Sequence, residues 1–335
     1  MKKIRFGILG TAKVAREKVI PALCATRFAE VAAIASRTPD SAARAAKALS
    51  IPKAHGSYEA LLNDPKVDAV YIPLPNHLHV PWTIRAMAAG KHVLCEKPMG
   101  LTGDEVNRLI DATTRYPDIK VMEAFMYRHH PQWEEVKRIV NHGEIGEVAA
   151  IHTEFSYCNT DPGNIRNQAD TGGGALMDIG CYPVSLSRFL LGAEPRRVMG
   201  VMDLDPAFGT DRNVSGLLDF AGRISTFTCS TQGAKHQRVS ILGSTGRIDI
   251  PLPFNPLPDS PAQIILQRDH LDDPDHALKT VTFPLCDQYA LMADRFARAV
   301  LDDAPAPVGL IDAWANMHVI DALRESAATG QWVAC

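Results

Sequence analysis

Short, continuous apolar runs alternate with helical stretches over the first third of the chain. Ile4–Leu9, Glu30–Ser36, Val67–Ile72, His92–Glu96 and Ile119–Met122 read as strands. Between them, Ala12–Ala25 (with Pro21 as an expected interruption), Asp40–Leu49, His79–Ala89 closed by Gly90, and Asp104–Thr114 read as helices. Strands that are apolar throughout, rather than on alternate positions, are buried on both faces. Alternating with helices, they predict a parallel sheet covered on each side.

The pattern changes after a helix at Gln132–Asn141. Val148–Tyr157 is a longer strand, and Ala175–Leu191 reads as a helix kinked near Pro183. Arg197–Met202, Val214–Phe220, Ile224–Ser230, Arg238–Leu242 and Arg247–Ile250 follow with only turns between them, the signature of an antiparallel sheet. A Pro-rich loop around Pro251–Pro261 interrupts this series, and two helices close the chain. The expected architecture is α/β: a first domain over residues 1–122 and an α+β domain over 123–335 with a large, mostly antiparallel open sheet.

Composition narrows the function. With 335 residues and 46% apolar residues there is material for two cores. A net charge of −3 offers no basic field for nucleic acid or an anionic membrane surface, and no apolar run is long enough to cross a bilayer. The seven cysteines, Cys24, Cys95, Cys158, Cys181, Cys229, Cys286 and Cys335, show no paired spacing. Free thiols and a cytoplasmic location are therefore expected, with no structural metal. The adjacent His129 and His130 would point apart on an extended segment, so they are not expected to hold one either.

Candidate chemistry gathers at the predicted strand ends. Gly7-Ile8-Leu9-Gly10-Thr11-Ala12-Lys13-Val14-Ala15 lies where the first strand turns into the first helix. Small residues there let the backbone approach a pyrophosphate, which identifies the first domain as a Rossmann domain. Gly7, Gly10, Thr11 and Ala12 are the expected cofactor contacts, although Ala12 stands where a second glycine is usual. The second strand ends in Ser36-Arg37 with no acid to bind a ribose 2′-hydroxyl. A hydroxyl and a guanidinium suit a 2′-phosphate, so NADP is the expected cofactor. Leu74, Pro75, Asn76 and His79 follow the fourth strand and are expected beside it. Asn76 reads equally as a helix cap, and His79 reads also as a structural residue.

The fifth strand ends in Glu96-Lys97-Pro98, where Pro98 fixes the backbone of Lys97. Downstream, in the run Gly172–Tyr182, Asp178 and Tyr182 are four residues apart on one helix face. With the glycine turn, these motifs resemble the glucose–fructose oxidoreductase / inositol dehydrogenase / rhizopine catabolism (Gfo/Idh/MocA) family over nearly the full length. Many members have His where this chain has Tyr182. The tyrosine form resembles the branch of NADP-dependent D-xylose dehydrogenase and dimeric dihydrodiol dehydrogenase.

The resemblance implies a two-domain dehydrogenase or reductase with its active site between the domains. It implies a cis bond in Glu96-Lys97-Pro98 and a homodimer formed through the second-domain sheet. Lys97, Asp178 and Tyr182 are the implied polar centre, with Lys97 and Glu96 also beside the cofactor. Arg166 and Arg128 are further candidates for binding a sugar-like substrate. The expected reaction moves a hydride between nicotinamide and a sugar alcohol or carbonyl carbon, as in aldose 1-dehydrogenases. A dihydrodiol dehydrogenase, a keto-deoxysugar reductase and a non-catalytic NADP-binding regulator are the competing readings.

Overall fold

The computed structural model describes residues 2–268 and 278–335. The chain folds into two compact units. The first joins residues 1–126 to 287–314; the second joins 127–286 to 315–335. The division expected at residue 122 therefore differs from the observed one in two ways. The first unit runs four residues further, and it takes back a helix from late in the chain. The physical reason lies in packing. That helix, α8 (Gln288–Leu301), brings Phe296 to 6.0 Å from Phe6 between ring centroids, so its apolar face completes the core beside the first strand.

The first unit is built on β1 (Ile4–Leu9), β2 (Ala29–Ala35), β3 (Lys53–His55), β4 (Ala69–Ile72), β5 (His92–Cys95) and β6 (Val121–Glu123). All pairings are parallel, in the order β3-β2-β1-β4-β5-β6. This is the doubly wound arrangement, in which strand order reverses between β1 and β4 and ligands bind outside the carboxyl ends at that point. The helices between are α1 (Ile20–Ala25), α2 (Pro39–Ala48), α3 (Tyr58–Leu62), α4 (His79–Ala88) and α5 (Gly103–Thr113). Thr38, Ser57 and Thr102 accept backbone N–H bonds as side-chain caps of α2, α3 and α5. The short β3 and α3 show no clear periodicity in the sequence.

Both prolines expected to disturb helices are absorbed in the same way. A π-helical turn, Ala15–Val19, leads into α1, and Pro21 falls within the first turn of α1. Another, Leu176–Gly180, leads into α7 (Cys181–Leu191), where Pro183 falls in the first turn. The wider turn takes up one extra residue, so the missing proline N–H breaks no regular helix interior.

The second unit carries α6 (Pro131–Asn141), α7 and most of α9 (Leu310–Thr329). Among the described residues its sheet has nine strands: β7 (Val148–Cys158), β8 (Arg197–Leu204), β9 (Asp211–Phe220), β10 (Arg223–Ser230), β11 (Gln232–Gly243), β12 (Gly246–Ile250), β13 (Gln263–Arg268), β14 (Lys279–Thr282) and β15 (Val333–Ala334). The order is β14-β13-β12-β11-β7-β10-β9-β8-β15. It is antiparallel except for the parallel pair β7–β10. The inward face packs on helices. Ser187 of α7 bonds Ser225 of β10 at 2.6 Å, and a side chain at Gly200 of β8 would strike the Leu323 carbonyl of α9. All seven cysteines are free, as expected. No helix among the described residues is long and apolar enough to cross a membrane, and they contain no cluster of His, Cys, Asp or Glu suited to a metal ion.

Candidate functional site

In the first unit, the nucleotide candidates cluster at the carboxyl ends of β1, β2, β4 and β5. Gly10 has φ +109°, a conformation that a Cβ would strain, and its N–H bonds the Ala35 carbonyl at 2.9 Å. A Cβ there would sit 3.1 Å from Leu74 Cδ2 and 3.6 Å from the Tyr58 hydroxyl. Bare backbone is therefore presented between those two side chains. The Arg16 Nε–H donates to the Thr11 carbonyl at 3.0 Å, fixing the turn that holds the half-exposed Thr11 and Ala12. Gly7 has a different task. A side chain there would meet Leu61 and Val67, so its smallness lets α3 pack on β1 and it does not face the turn.

Ser36 is buried and Arg37 exposed just beyond β2. Tyr58, at the start of α3, joins them and was not found by sequence reasoning. Its ring packs edge-on against Trp82 at 4.9 Å. Burial raises the phenol pKa and the positive charge of Arg37 opposes this, which puts Tyr58 and Arg37 in one electrostatic neighbourhood. A glycine turn flanked by half-buried small residues, a buried hydroxyl and an exposed guanidinium, with no acid at the end of β2, fit a dinucleotide. Leu74 is buried and Pro75 half-buried above them. Asn76 lies in a separate single turn, Asn76–Leu78, and does not cap α4, whose cap residue is Leu78.

His79, expected as a cofactor contact, is fully buried. Its Nδ1 lies 2.7 Å from the Pro98 carbonyl and its Nε2 2.8 Å from the Leu74 carbonyl. Only an imidazolium could donate to both. Burial wins, with no anion to offset it, and pushes the pKa down to about 4, so the ring is neutral and donates to one carbonyl. Its position suits a tie between the exits of β4 and β5, not a ligand contact. Next to it the Lys97–Pro98 peptide is cis, as the resemblance implied. Lys97 and Glu96 are half-buried, and Glu96 accepts the Tyr71 hydroxyl at 2.5 Å.

In the second unit, Asp178 and Arg166 come together: Arg166 Nε is 2.8 Å from Asp178 Oδ2. The same oxygen accepts the Tyr157 hydroxyl at 2.6 Å. Tyr157 lies near the end of the long strand β7 and was not singled out from the sequence. The Asp178 charge raises the Arg166 pKa, burial opposes it, and Tyr157 and Tyr182 raise it further, so all four groups share one neighbourhood. Tyr182 is buried against Phe254, Phe155 and Tyr127, with centroids at 5.1, 5.6 and 5.8 Å. Phe254 comes from the Pro-rich loop, which is held by Trp133 donating to the Pro253 carbonyl at 2.7 Å.

The run Gly172–Gly174 feeds this helix. Gly174 has φ +111° and sits where a Cβ would collide with Asp211. That carboxylate accepts the Leu176 N–H at 2.6 Å and so caps the helix start from a neighbouring strand. Arg128, expected to bind substrate, is turned to α7. It donates to the Ser185 hydroxyl at 2.9 Å and the Ser185 carbonyl at 3.2 Å, and lies over the Phe189 ring. This contact anchors the helix that carries Tyr182.

Comparisons with known proteins identify the family. Residues 4–125 match the oxidoreductase family with an NAD-binding Rossmann fold, and residues 133–249 match the GFO/IDH/MocA C-terminal domain. The chain is 47% identical over 333 residues to oxidoreductase ORF334 of Rhizobium meliloti, covering 99% of each chain. It is 39% identical to D-xylose 1-dehydrogenase (NADP(+)) 2 of Haloferax volcanii, covering 97% of this chain and 98% of that one. The crystal structure of KijD10, a 3-ketoreductase from Actinomadura kijaniata in complex with NADP and TDP-benzene, superposes with a TM-score of 0.89 at 34% identity. That match covers 97% of this chain and 98% of the other. The protein thus belongs to the GFO/IDH/MocA oxidoreductases and is an NAD(P)-dependent enzyme acting on CH–OH groups.

Proposed function

We propose that the enzyme prefers NADP and oxidises a sugar at a CH–OH carbon, or reduces the matching carbonyl, in the manner of an aldose 1-dehydrogenase. The observation that carries the reading is the Asp178 carboxylate bridged by Tyr157 and Arg166 one turn before Tyr182. A polyhydroxylated substrate needs donors and acceptors at close spacing. Phenols supply both, a guanidinium only donors, and a carboxylate only acceptors. The relative that is a D-xylose dehydrogenase supports the same choice. A keto-sugar reductase is the second reading, favoured by the 3-ketoreductase likeness.

When bound, the nicotinamide accepts or supplies the hydride. The chain's own residues handle the proton. Tyr182 Oη takes it from the reacting hydroxyl during oxidation and returns it during reduction. A free phenol has a pKa near ~10, so a neighbouring cation is required to favour the phenolate at neutral pH. Lys97 is proposed as a cation of the reaction, its ammonium stabilising the negative charge that develops on the substrate oxygen. Asp178 and Arg166, with Tyr157, hold neighbouring hydroxyls and orient the carbon that reacts. Ser36 and Arg37 hold the 2′-phosphate, with Tyr58 beside them.

We further propose a homodimer through the outward face of the nine-stranded sheet. Met199 and Leu217 are cross-strand partners there, and Val201 on the same face is 68% exposed. Apolar groups concentrated on one sheet face mark an interaction surface.

Three outcomes test these readings. Lys97→Met and Tyr182→Phe should each lower kcat by about a hundredfold or more while leaving NADP affinity within about threefold. Steady-state kinetics with fluorescence titration of NADPH checks this, and a near-wild-type rate for either variant removes that residue from the mechanism. Two charge-assisted bonds of roughly 1.5–3 kcal/mol each, less the cost of desolvating the phosphate, favour NADP over NAD by about ten- to a hundredfold. Arg37→Ala should weaken NADP far more than NAD, and Ser36→Asp should reverse the preference; equal weakening of both coenzymes contradicts the assignment. Light scattering should give a dimer mass at micromolar concentration, and Val201→Glu with Leu217→Glu should give a folded monomer. A wild-type monomer under those conditions rejects the dimer.

A further inference from the structure

The segment that leaves β3 runs beside the segment that leaves β2. β3 is the edge strand of the first sheet and only three residues long, so it pairs on one side alone. Its last pairing sets His55 against Ala35. Just beyond, the Ser36 N–H donates to the His55 carbonyl at 3.2 Å, and the Ala35 carbonyl accepts the Gly10 N–H at 2.9 Å. The backbone at Ser36 is thus placed by β3 on one side and, through Ala35, by the glycine turn on the other. Gly56 comes next. A Cβ there would sit 2.7 Å from Pro39 Cγ, so the exit of β3 lies directly against the start of α2. Ser57 then caps α3 by accepting the Ala60 N–H at 3.1 Å and so sets Tyr58, its first residue.

Two side chains of this short strand are tied to one carboxylate. Lys53 and His55 are two residues apart and share a face of β3. Lys53 Nζ lies 2.9 Å and His55 Nε2 3.0 Å from Asp64 Oδ2. Asp64 is buried and fixed in its turn. Its Oδ1 accepts the Lys66 N–H at 2.9 Å, its N–H donates to the Leu61 carbonyl at 3.0 Å, and its carbonyl accepts from Lys91 Nζ at 2.9 Å. The bond from Lys53, and after it that from the Lys66 N–H, hold the Asp64 carboxyl well below the usual carboxylate range against the effect of burial. Asp64 is therefore an ionised anchor at working pH. A three-residue edge strand has few ladder bonds to define its place, and these charge-assisted side-chain bonds supply what the ladder lacks.

We infer that the exit of β3 is a specificity-determining segment for the coenzyme: His55, anchored by Asp64, and Gly56 are positioning residues that set where Ser36–Pro39 stands and so how well Ser36 and Arg37 meet a 2′-phosphate. The inference rests on the reading of Ser36 and Arg37 as the residues that bind that phosphate. Hydrogen bonds of a binding site tolerate roughly 0.5 Å of misplacement. NAD lacks the phosphate, so a shift of the segment costs NADP more than NAD. A purely structural role for His55 would lower stability and leave the ratio of the two affinities unchanged.

The test is fluorescence titration of NADPH and of NADH, with thermal unfolding alongside, for His55→Leu, His55→Gln, Gly56→Ala and Arg37→Ala. His55→Leu removes the bond to Asp64 and should lower the ratio of NADPH to NADH affinity by about fivefold, with NADH affinity within about twofold of wild type. His55→Gln, whose amide N–H can stand in for Nε2, should keep that ratio within about twofold. Gly56→Ala leaves the anchor in place but presses on Pro39, and should lower the ratio in the same direction. A folded His55→Leu with the wild-type ratio, or a His55→Gln ratio as low as that of His55→Leu, overturns the inference. If His55→Leu does not fold, Gly56→Ala decides the question by the same ratio. A lowered ratio in Arg37→Ala beside wild-type ratios in the β3 variants overturns this inference alone. An Arg37→Ala that weakens both coenzymes equally overturns the coenzyme reading and this inference with it.

Discussion

A buried imidazole stands between the exits of two adjacent strands of the first unit. His79 faces the Leu74 carbonyl after β4 and the Pro98 carbonyl after β5. Held neutral by burial, it brings no charge of its own to these strand ends. Leu74 in turn borders the space left open at Gly10. The nucleotide turn, the β4 exit and the lysine turn are thus connected by contacts from one element to the next, and the doubly wound order puts them all at the same edge.

The second unit solves a similar problem with strand ends and a wide helical turn. Asp178 sits in the π-helical turn that precedes α7, and Tyr182 in the first turn of α7 itself. π-Helical turns are frequent at functional sites, because the extra residue re-aims the side chains within a helix. The helix is fixed from several sides: Asp211 at its start, Arg128 at Ser185, and Ser225 at Ser187. The aromatic group of Phe155, Phe254 and Tyr127 keeps Tyr182 in a dry setting. There, a nearby charge acts on a phenol more strongly than it would in water.

Much of this was legible in the sequence, for definite reasons. Continuous apolar strands gave the parallel sheet, and turn-linked strands gave the antiparallel one. Gly10, Lys97-Pro98 and the Gly172–Tyr182 run have backbone requirements that few residue types meet, so they stood out as motifs. What escaped notice depended on burial or on distant chain segments. Tyr58, Tyr157 and Asp211 are single residues with no motif, brought to their places by helix packing or by β-pairing. His79 and Arg128 were visible as polar residues in the right segments, but only packing reveals that one faces backbone carbonyls and the other anchors α7. Gly7 was assigned to the cofactor because it belongs to the motif, whereas its missing side chain serves α3. The unit boundary was misplaced because a sequence pattern cannot show that a late helix packs on the first strand.

The proposed activity is that of an NADP-linked sugar oxidoreductase. The most direct measurement is an initial-rate panel in which aldoses, polyols, ketosugars and aromatic diols are each offered with NADP and with NAD at neutral and mildly alkaline pH. The account predicts the highest kcat/KM for an aldose with NADP, with NAD at least about tenfold poorer. Turnover confined to aromatic diols, a preference for NAD, or no turnover of any substrate despite tight NADP binding would contradict it.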